Sequence, residues 1–299
     1  MSMENPYITP GRVRAALRAL ELRPTRGMGQ NFLVDSQALS AIVAAGELDP
    51  QDTVLEIGPG LGVLTWELLR AAGRVVAVEL DRRLAARLHT EFPDEARLTI
   101  VERDVLNIAP DEALAAAGPV PERYKVIANL PYAITSAVLR HLLEAAHPPE
   151  LMVLLVQWEV ALRITAAPGD LSVLAHSVQI YAQPEIVARV PADSFHPAPA
   201  VDSAILRLRR HPRPAVEVDS IDGLMRVIKS GFLQARKKLG NSLPGGMAAM
   251  GVRVDKGRIG ELLRSLNIDP DRRAETLTLE EWAAVYNGLK ADQERSDNP

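Results

Sequence analysis

The chain contains no cysteine, so it forms no disulfide and uses no thiolate as nucleophile or metal ligand. It also lacks any apolar run near the roughly 18 residues that a membrane-spanning helix needs. Its start, "MSMENPYITPGRVRAAL", lacks the basic-then-apolar layout of a signal peptide, so a soluble protein of the cytoplasm is expected. His141, His147, His176, His196 and His211 are scattered without metal-ligand spacing; each reads as a surface or packing residue, and no metal is expected. No repeat or low-complexity segment interrupts the chain. An excess of positive charge is missing too. The 34 basic and 38 acidic residues give a formal net charge of -4, which excludes a surface uniformly coated for nucleic-acid binding.

What is present is an ordinary globular composition, 47% hydrophobic and 24% charged, over 299 residues, enough for one large domain and a smaller one. From Thr53 to about Gln157, short β-branched runs ("TVLEIG", "RVVAVEL", "LTIVER", "KVIAN", "LMVLLVQ") alternate with helical patterns. That rhythm predicts βαβ units around a parallel sheet. The near-continuous apolar strands imply helices on both faces, hence an α/β, doubly wound fold. A helix-like "LSVLAHSVQIYA" follows, and then "EIVARVP" and "SAILRLR", expected to complete the sheet at one edge. "HPRPAVEVDS" reads as a linker. Beyond it the spacing is helical throughout, so a catalytic domain over 1–210 and a small all-α domain over 211–299 are expected. Basic residues collect in two places. Arg12, Arg14, Arg18, Arg23 and Arg26 stand against Glu21 alone, and "RVIKSGFLQARKKLGNS" carries Arg226, Lys229, Arg236, Lys237 and Lys238 with no acid. Each run alone reads as a solvated face; the pair favours local phosphate binding.

"VLEIGPGLGVLT" places Gly58, Gly60 and Gly62 directly after a strand and before a helix, where the backbone can turn tightly and approach a ligand. Glu79, twenty-one residues after Gly58 at the end of the next strand, can accept from both hydroxyls of a ribose. Asp104, at the end of the third strand, is placed to accept from an adenine amino group. A glycine turn or a strand-end acid alone is commonly structural; three at successive strand ends describe an adenosine-containing cofactor. The G-x-G-x-G spacing, with Glu56 before it, departs from the dinucleotide fingerprint and favours S-adenosylmethionine over NAD.

The fourth strand ends in Asn129-Leu130-Pro131-Tyr132. Pro131 pushes Leu130 towards an extended conformation and removes a backbone donor. The Leu130 carbonyl and the Asn129 side-chain oxygen are thus two acceptors for the two hydrogens of an exocyclic amine, and Tyr132 offers a face on which a base can stack. No general base is required: an amine drawn towards sp³ character attacks, and its proton leaves afterwards to water.

In these motifs the chain resembles the rRNA adenine N6,N6-dimethyltransferases of the KsgA type. The likeness runs from "GMGQNFLVD" through "EIGPGLGVLT", "VVAVELD", "RDVL" and "ANLPY" to "FHPAPAVDSAIL", "FLQARKKLGNSL" and "RRAETLTLEEW". It implies a Rossmann-like S-adenosylmethionine-dependent methyltransferase fold, with Asn31 and Leu33 lining the methionine end of the cofactor. Gly58, Gly60, Glu79, Asp104 and Asn129 would complete that site, and Phe195 would lie against the target adenine opposite Tyr132. The implied reaction is dimethylation of N6 on two adjacent adenosines in a hairpin near the 3′ end of 16S rRNA, during late small-subunit biogenesis. The partner would be that rRNA in the small ribosomal subunit or its precursor, with the enzyme a monomer and Arg236, Lys237 and Lys238 its phosphate-binding residues. Gln157-Trp158-Glu159 lacks the lysine usual in the family, and the loop "AAPGDLSVL" lacks its usual Tyr-Gly. Three other readings compete: a large-subunit rRNA methyltransferase sharing "NLPY", an assembly factor whose methylation is secondary, and a protein or small-molecule methyltransferase. "LGNSL" and "RAETL" oppose the first, intact Glu79, Asp104 and Asn129 oppose lost chemistry, and the basic helical domain opposes the third.

Overall fold

The computed structural model describes residues 5–22, 31–252 and 254–297; Arg23, Arg26 and the "GMGQ" of the first motif lie outside them. In chain order the elements are α1 (Pro10–Ala19), β1 (Phe32–Leu33), α2 (Ser36–Ala45), β2 (Thr53–Ile57), α3 (Val63–Ala71), β3 (Arg74–Glu79), α4 (Arg82–Glu91), β4 (Leu98–Glu102) and α5 (Pro110–Ala115). Then come β5 (Lys125–Asn129), α6 (Thr135–Leu143), β6 (Leu151–Gln157), α7 (Trp158–Ile164), α8 (Val173–Gln179), β7 (Ala182–Val190), β8 (Phe195–His196) and β9 (Ser203–Arg210). Helices α9 (Ile221–Phe232), α10 (Leu239–Ala249), α11 (Lys256–Ser265) and α12 (Leu279–Asp297) follow.

The chain divides into two compact units, one of Met1–Leu162 with Gln183–Arg210 and one of Arg163–Ala182 with His211–Pro299. The segment 163–182, read from sequence as part of the sheet domain, therefore groups with the helices. The first unit is built on a seven-stranded sheet of order β4-β3-β2-β5-β6-β9-β7. Strands β4, β3, β2, β5 and β6 are parallel, and β9 runs antiparallel to β6. Every residue of β2 is buried, and so is all of β3 after Arg74, as their unbroken apolar runs require of strands covered on both faces. The chain steps outward from β2 to β3 and β4 and then crosses back to β5 on the other side of β2. This reversal opens a crevice at the carboxyl ends of β2 and β5, the place where open α/β sheets bind ligands.

The second unit has its own core, in which Trp282, Leu224, Ile228, Leu243, Ile259 and Leu263 are buried. Helices α9 and α10 approach so closely that a Cβ on Gly246 would lie 1.9 Å from the Ser230 carbonyl oxygen. His176 is wholly buried here beside Phe232 and Trp282, with neither ring nitrogen hydrogen-bonded. Desolvation holds its pKa down at about 4, so the ring is neutral. His176 is thus a packing residue, one of the two roles the sequence suggests for it, and Trp282 packs beside it. Among the described residues no helix is long and apolar enough to cross a membrane.

Candidate active site

Asn31, Leu33, Glu56, Gly58, Gly60, Glu79, Asn129, Leu130, Pro131 and Tyr132 line one cleft at the switch point. The expected cofactor positions, Asp104 apart, therefore meet in space with the NLPY turn, drawn from β1 and the residue before it and from β2, β3 and β5 and the turns that follow them. The glycine turn needs its residues for their conformation: Gly58, Gly60 and Gly62 have φ of 65°, 61° and 83°, in the left-handed region. A Cβ on Gly60 would also come 3.1 Å from the Phe32 ring, and one on Gly62 2.9 Å from Leu88 and Phe92.

Glu79 fastens this turn to the next strand. One of its oxygens accepts from the Gly60 N–H at 3.0 Å and the other from the Asp81 N–H at 2.9 Å. Burial raises its pKa, and these backbone donors partly oppose that rise. Glu56 lies deeper, 1% exposed, with the Thr65 hydroxyl donating to Oε2 at 2.7 Å. Desolvation, reinforced by the nearby Glu79 carboxylate, pushes its pKa up to about 8. The residues present fit S-adenosylmethionine: two carboxyls with no cation partner among the described residues face a cleft beside a glycine turn, leaving acceptor capacity for ribose hydroxyls and a cationic group.

On the other side, the Asn129 Nδ2 donates to the Asn31 carbonyl at 3.1 Å. That bond fixes which way the amide points and leaves Oδ1 as the acceptor. Pro131, at φ -56° and ψ 127°, holds the strand end extended, and Tyr132 begins a short 3₁₀ turn that leads into α6. The half-buried Tyr132 ring lines the cleft while its hydroxyl lies 2.7 Å from Ser203 Oγ. Burial raises its phenol pKa.

Two expected residues stand apart from the cleft. Asp104 does end its strand at the same edge, but its carboxylate accepts from the Leu106 N–H at 3.0 Å and from Asn107 Nδ2 at 2.9 Å, capping the turn after β4. Phe195 is 3% exposed in the hydrophobic core, paired with Leu33 across the short β1–β8 ladder, and does not line the cleft. In this structure Phe195 is thus packed in the core, one ladder position across from a cleft residue. Ser203 is the residue the sequence reading missed; no local signal marks a partner 71 positions away.

In the helical unit, Arg236, Lys237 and Lys238 are exposed in the turn between α9 and α10. Lys238 pairs with Asp271 at 2.6 Å, whereas Arg236 and Lys237 have no side-chain partner among the described residues. In the sheet unit, Trp158 is half-buried, with the Arg189 guanidinium 4.8 Å over its ring.

A doubly wound sheet with a glycine turn, a buried strand-end acid and the NLPY turn gathered at its switch point is the architecture of a methyltransferase that uses S-adenosylmethionine. The chain is 44% identical over 261 residues to a protein named ribosomal RNA small subunit methyltransferase A from Dehalococcoides mccartyi, with 87% of each chain covered. It is 42% identical over 289 residues to the protein of that name from Moorella thermoacetica, covering 94% of this chain and 98% of the other. The family model described as ribosomal RNA adenine dimethylase matches residues 23–286, and the chain belongs to that family. The crystal structure of the 23S rRNA methyltransferase ErmE matches with a TM-score of 0.67 and 29% identity, over 87% of this chain and 100% of that one. A dimethyladenosine transferase from Plasmodium falciparum matches at 0.73 over 88% and 98%, and its 23% identity speaks for the fold alone.

Proposed function

We propose that this protein dimethylates N6 of two adjacent adenosines in a hairpin near the 3′ end of small-subunit rRNA, acting as a cytoplasmic monomer on the small ribosomal subunit or its precursor. The observation that carries the chemistry is the Asn129 amide locked by its nitrogen on the Asn31 carbonyl. Its free Oδ1 and the Leu130 carbonyl accept the two N–H bonds of the target amine, which turns the nitrogen lone pair out of conjugation with the ring. Bound S-adenosylmethionine supplies an electrophilic methyl group. Tyr132 stacks on the base and keeps the nitrogen at that pair of acceptors. The surplus proton passes to water, since among the described residues none bonded to Asn129 is a base. Glu79 takes the ribose hydroxyls, and Arg236 and Lys237 take phosphates.

Mass spectrometry of small-subunit rRNA from cells with and without the protein tests the reading: dimethylated adenosines absent only without it support it, and unchanged rRNA refutes it. Asn129→Ala, compared with wild type for methylation and for small-subunit binding, separates catalyst from assembly factor. Loss of roughly 10² to 10³ in turnover with binding retained is expected, as for other preorganised groups at a reacting atom. Near-normal methylation would refute the amine-holder role.

A further inference from the structure

Tyr132 is anchored at its far end, and the anchor belongs to another strand. Ser203, the first residue of β9, is wholly buried, and its Oγ lies 2.7 Å from the Tyr132 hydroxyl. Each side chain is the other's only hydrogen-bond partner among the described residues. Sheet register explains how they meet. Asn129 stands opposite Leu155 of β6, and Leu155 opposite Ile205 of β9. Because β9 is antiparallel, Ser203 sits two residues nearer the cleft edge than Ile205, about 7 Å further out. Tyr132 projects beyond Asn129 in the same direction.

The start of β9 is itself held. The Trp158 N–H donates to the Asp202 carbonyl at 2.9 Å. The Asp202 carboxylate accepts from the Ala192 N–H at 3.0 Å and from Arg189, whose Nε is 2.9 Å away. Ser203 thus presents its hydroxyl from a fixed strand and not from a loop.

We propose that Ser203 is a positioning residue for methyl transfer: its bond to Tyr132 sets the plane of the ring on which the target adenine stacks, so that the amine meets Asn129 Oδ1. The inference rests on Tyr132 being the stacking residue. Without the tether the ring still stacks, but its aryl torsion is broad, and the amine is delivered to Asn129 in fewer of the bound complexes. A misplacement of about 1 Å can cost up to 10²-fold in rate, so the loss falls on kcat more than on KM.

The test is a double-mutant cycle on unmethylated small subunits, with S-adenosylmethionine affinity and thermal midpoint measured for every variant. Ser203→Ala and Tyr132→Phe are each expected to lower kcat about 10-fold with KM changed less than about 2-fold, and the double variant to be no worse than either. Multiplying effects, or near-normal kcat in both single variants, overturn the proposal. Tyr132→Ala keeps the two claims apart. If it methylates normally, the stacking role itself fails; if it is impaired while Ser203→Ala and Tyr132→Phe are normal, only the tether fails. Should Ser203→Ala not fold, Tyr132→Phe decides alone, since it removes nothing but the hydroxyl: a roughly 10-fold kcat loss supports the tether and normal kcat refutes it.

Discussion

Glu56 should make the sheet unit less stable as pH rises, and Glu56→Gln should abolish that dependence. The side chain is buried without a cation partner among the described residues, and burial, first, and the Glu79 charge, second after the opposing Thr65 bond, push its pKa to about 8. In the unfolded chain it returns to 4.5. A carboxyl whose folded pKa is raised contributes its full stability below 4.5 and loses it as pH climbs through 8. Between about pH 5.5 and 7.5 the unfolded chain has released this proton while the folded one keeps it, so stability falls by about 1.4 kcal/mol per pH unit, or about 3 kcal/mol over the window. For a unit of this size that is roughly 5 to 10 °C of thermal midpoint. Glutamine keeps the shape and the acceptor for Thr65 without titrating. The assay is thermal unfolding of wild type and Glu56→Gln over this pH range without cofactor, read as the difference between the two curves. Parallel curves would refute the argument. A second arm uses S-adenosylmethionine, whose positive charge favours the ionised form. Binding near pH 7 should release up to about one proton in wild type and none through position 56 in the variant, seen by calorimetry in buffers of different ionisation enthalpy.

Glu79→Ala removes the acceptor for the Gly60 N–H as well as the ribose acid, and calorimetry should show S-adenosylmethionine binding weakened by about 1.5 to 3 kcal/mol; unchanged affinity would exclude Glu79 from the site. Replacing Arg236 and Lys237 by alanine should flatten the salt dependence of rRNA binding by about 0.7 to 0.9 log units for each phosphate left unneutralised, with cofactor affinity unchanged. Lys238→Ala alone should do less, because that side chain is already paired with Asp271, and a larger slope change for it than for Arg236 would contradict this ranking. His176, whose pKa is lowered by burial to about 4, contributes stability that is complete above 6.5 and lost as pH falls towards 4. That is a loss of about 3 kcal/mol, and acid denaturation of His176→Leu should lack it.

The sheet was legible because its order is written locally. Short, β-branched apolar runs such as "LMVLLVQ", alternating with helical patterns, point to strands buried on both faces, and the glycine turn and Asn129 announce themselves where those runs stop. What escaped depends on pairing between distant segments. The two-residue strands β1 and β8 are too short for any periodicity, so nothing in "SFHPAPAVDSA" reveals that Phe195 is buried and paired with Leu33. The run at 236–238 gives its charge but not the acid at 271 that engages one member of it. Likewise "LSVLAHSVQIYA" shows a helix, while the apolar neighbours that draw 163–182 into the helical unit lie beyond residue 211.

Three hydrogen bonds between segments far apart in the chain hold the cleft: Gly60 to Glu79, Asn129 to Asn31, and Tyr132 to Ser203. Each joins a residue that lines the cleft to one whose place is set by its own strand or strand approach. Glu79 ends β3 and Ser203 begins β9, so two of the three bonds tie cleft residues to strands of the main sheet, while Asn31 ties Asn129 to the approach to β1. This explains why the turn after β5 can be a bare tetrapeptide. Asn31 holds the Asn129 amide and Ser203 the Tyr132 hydroxyl, both from outside the turn.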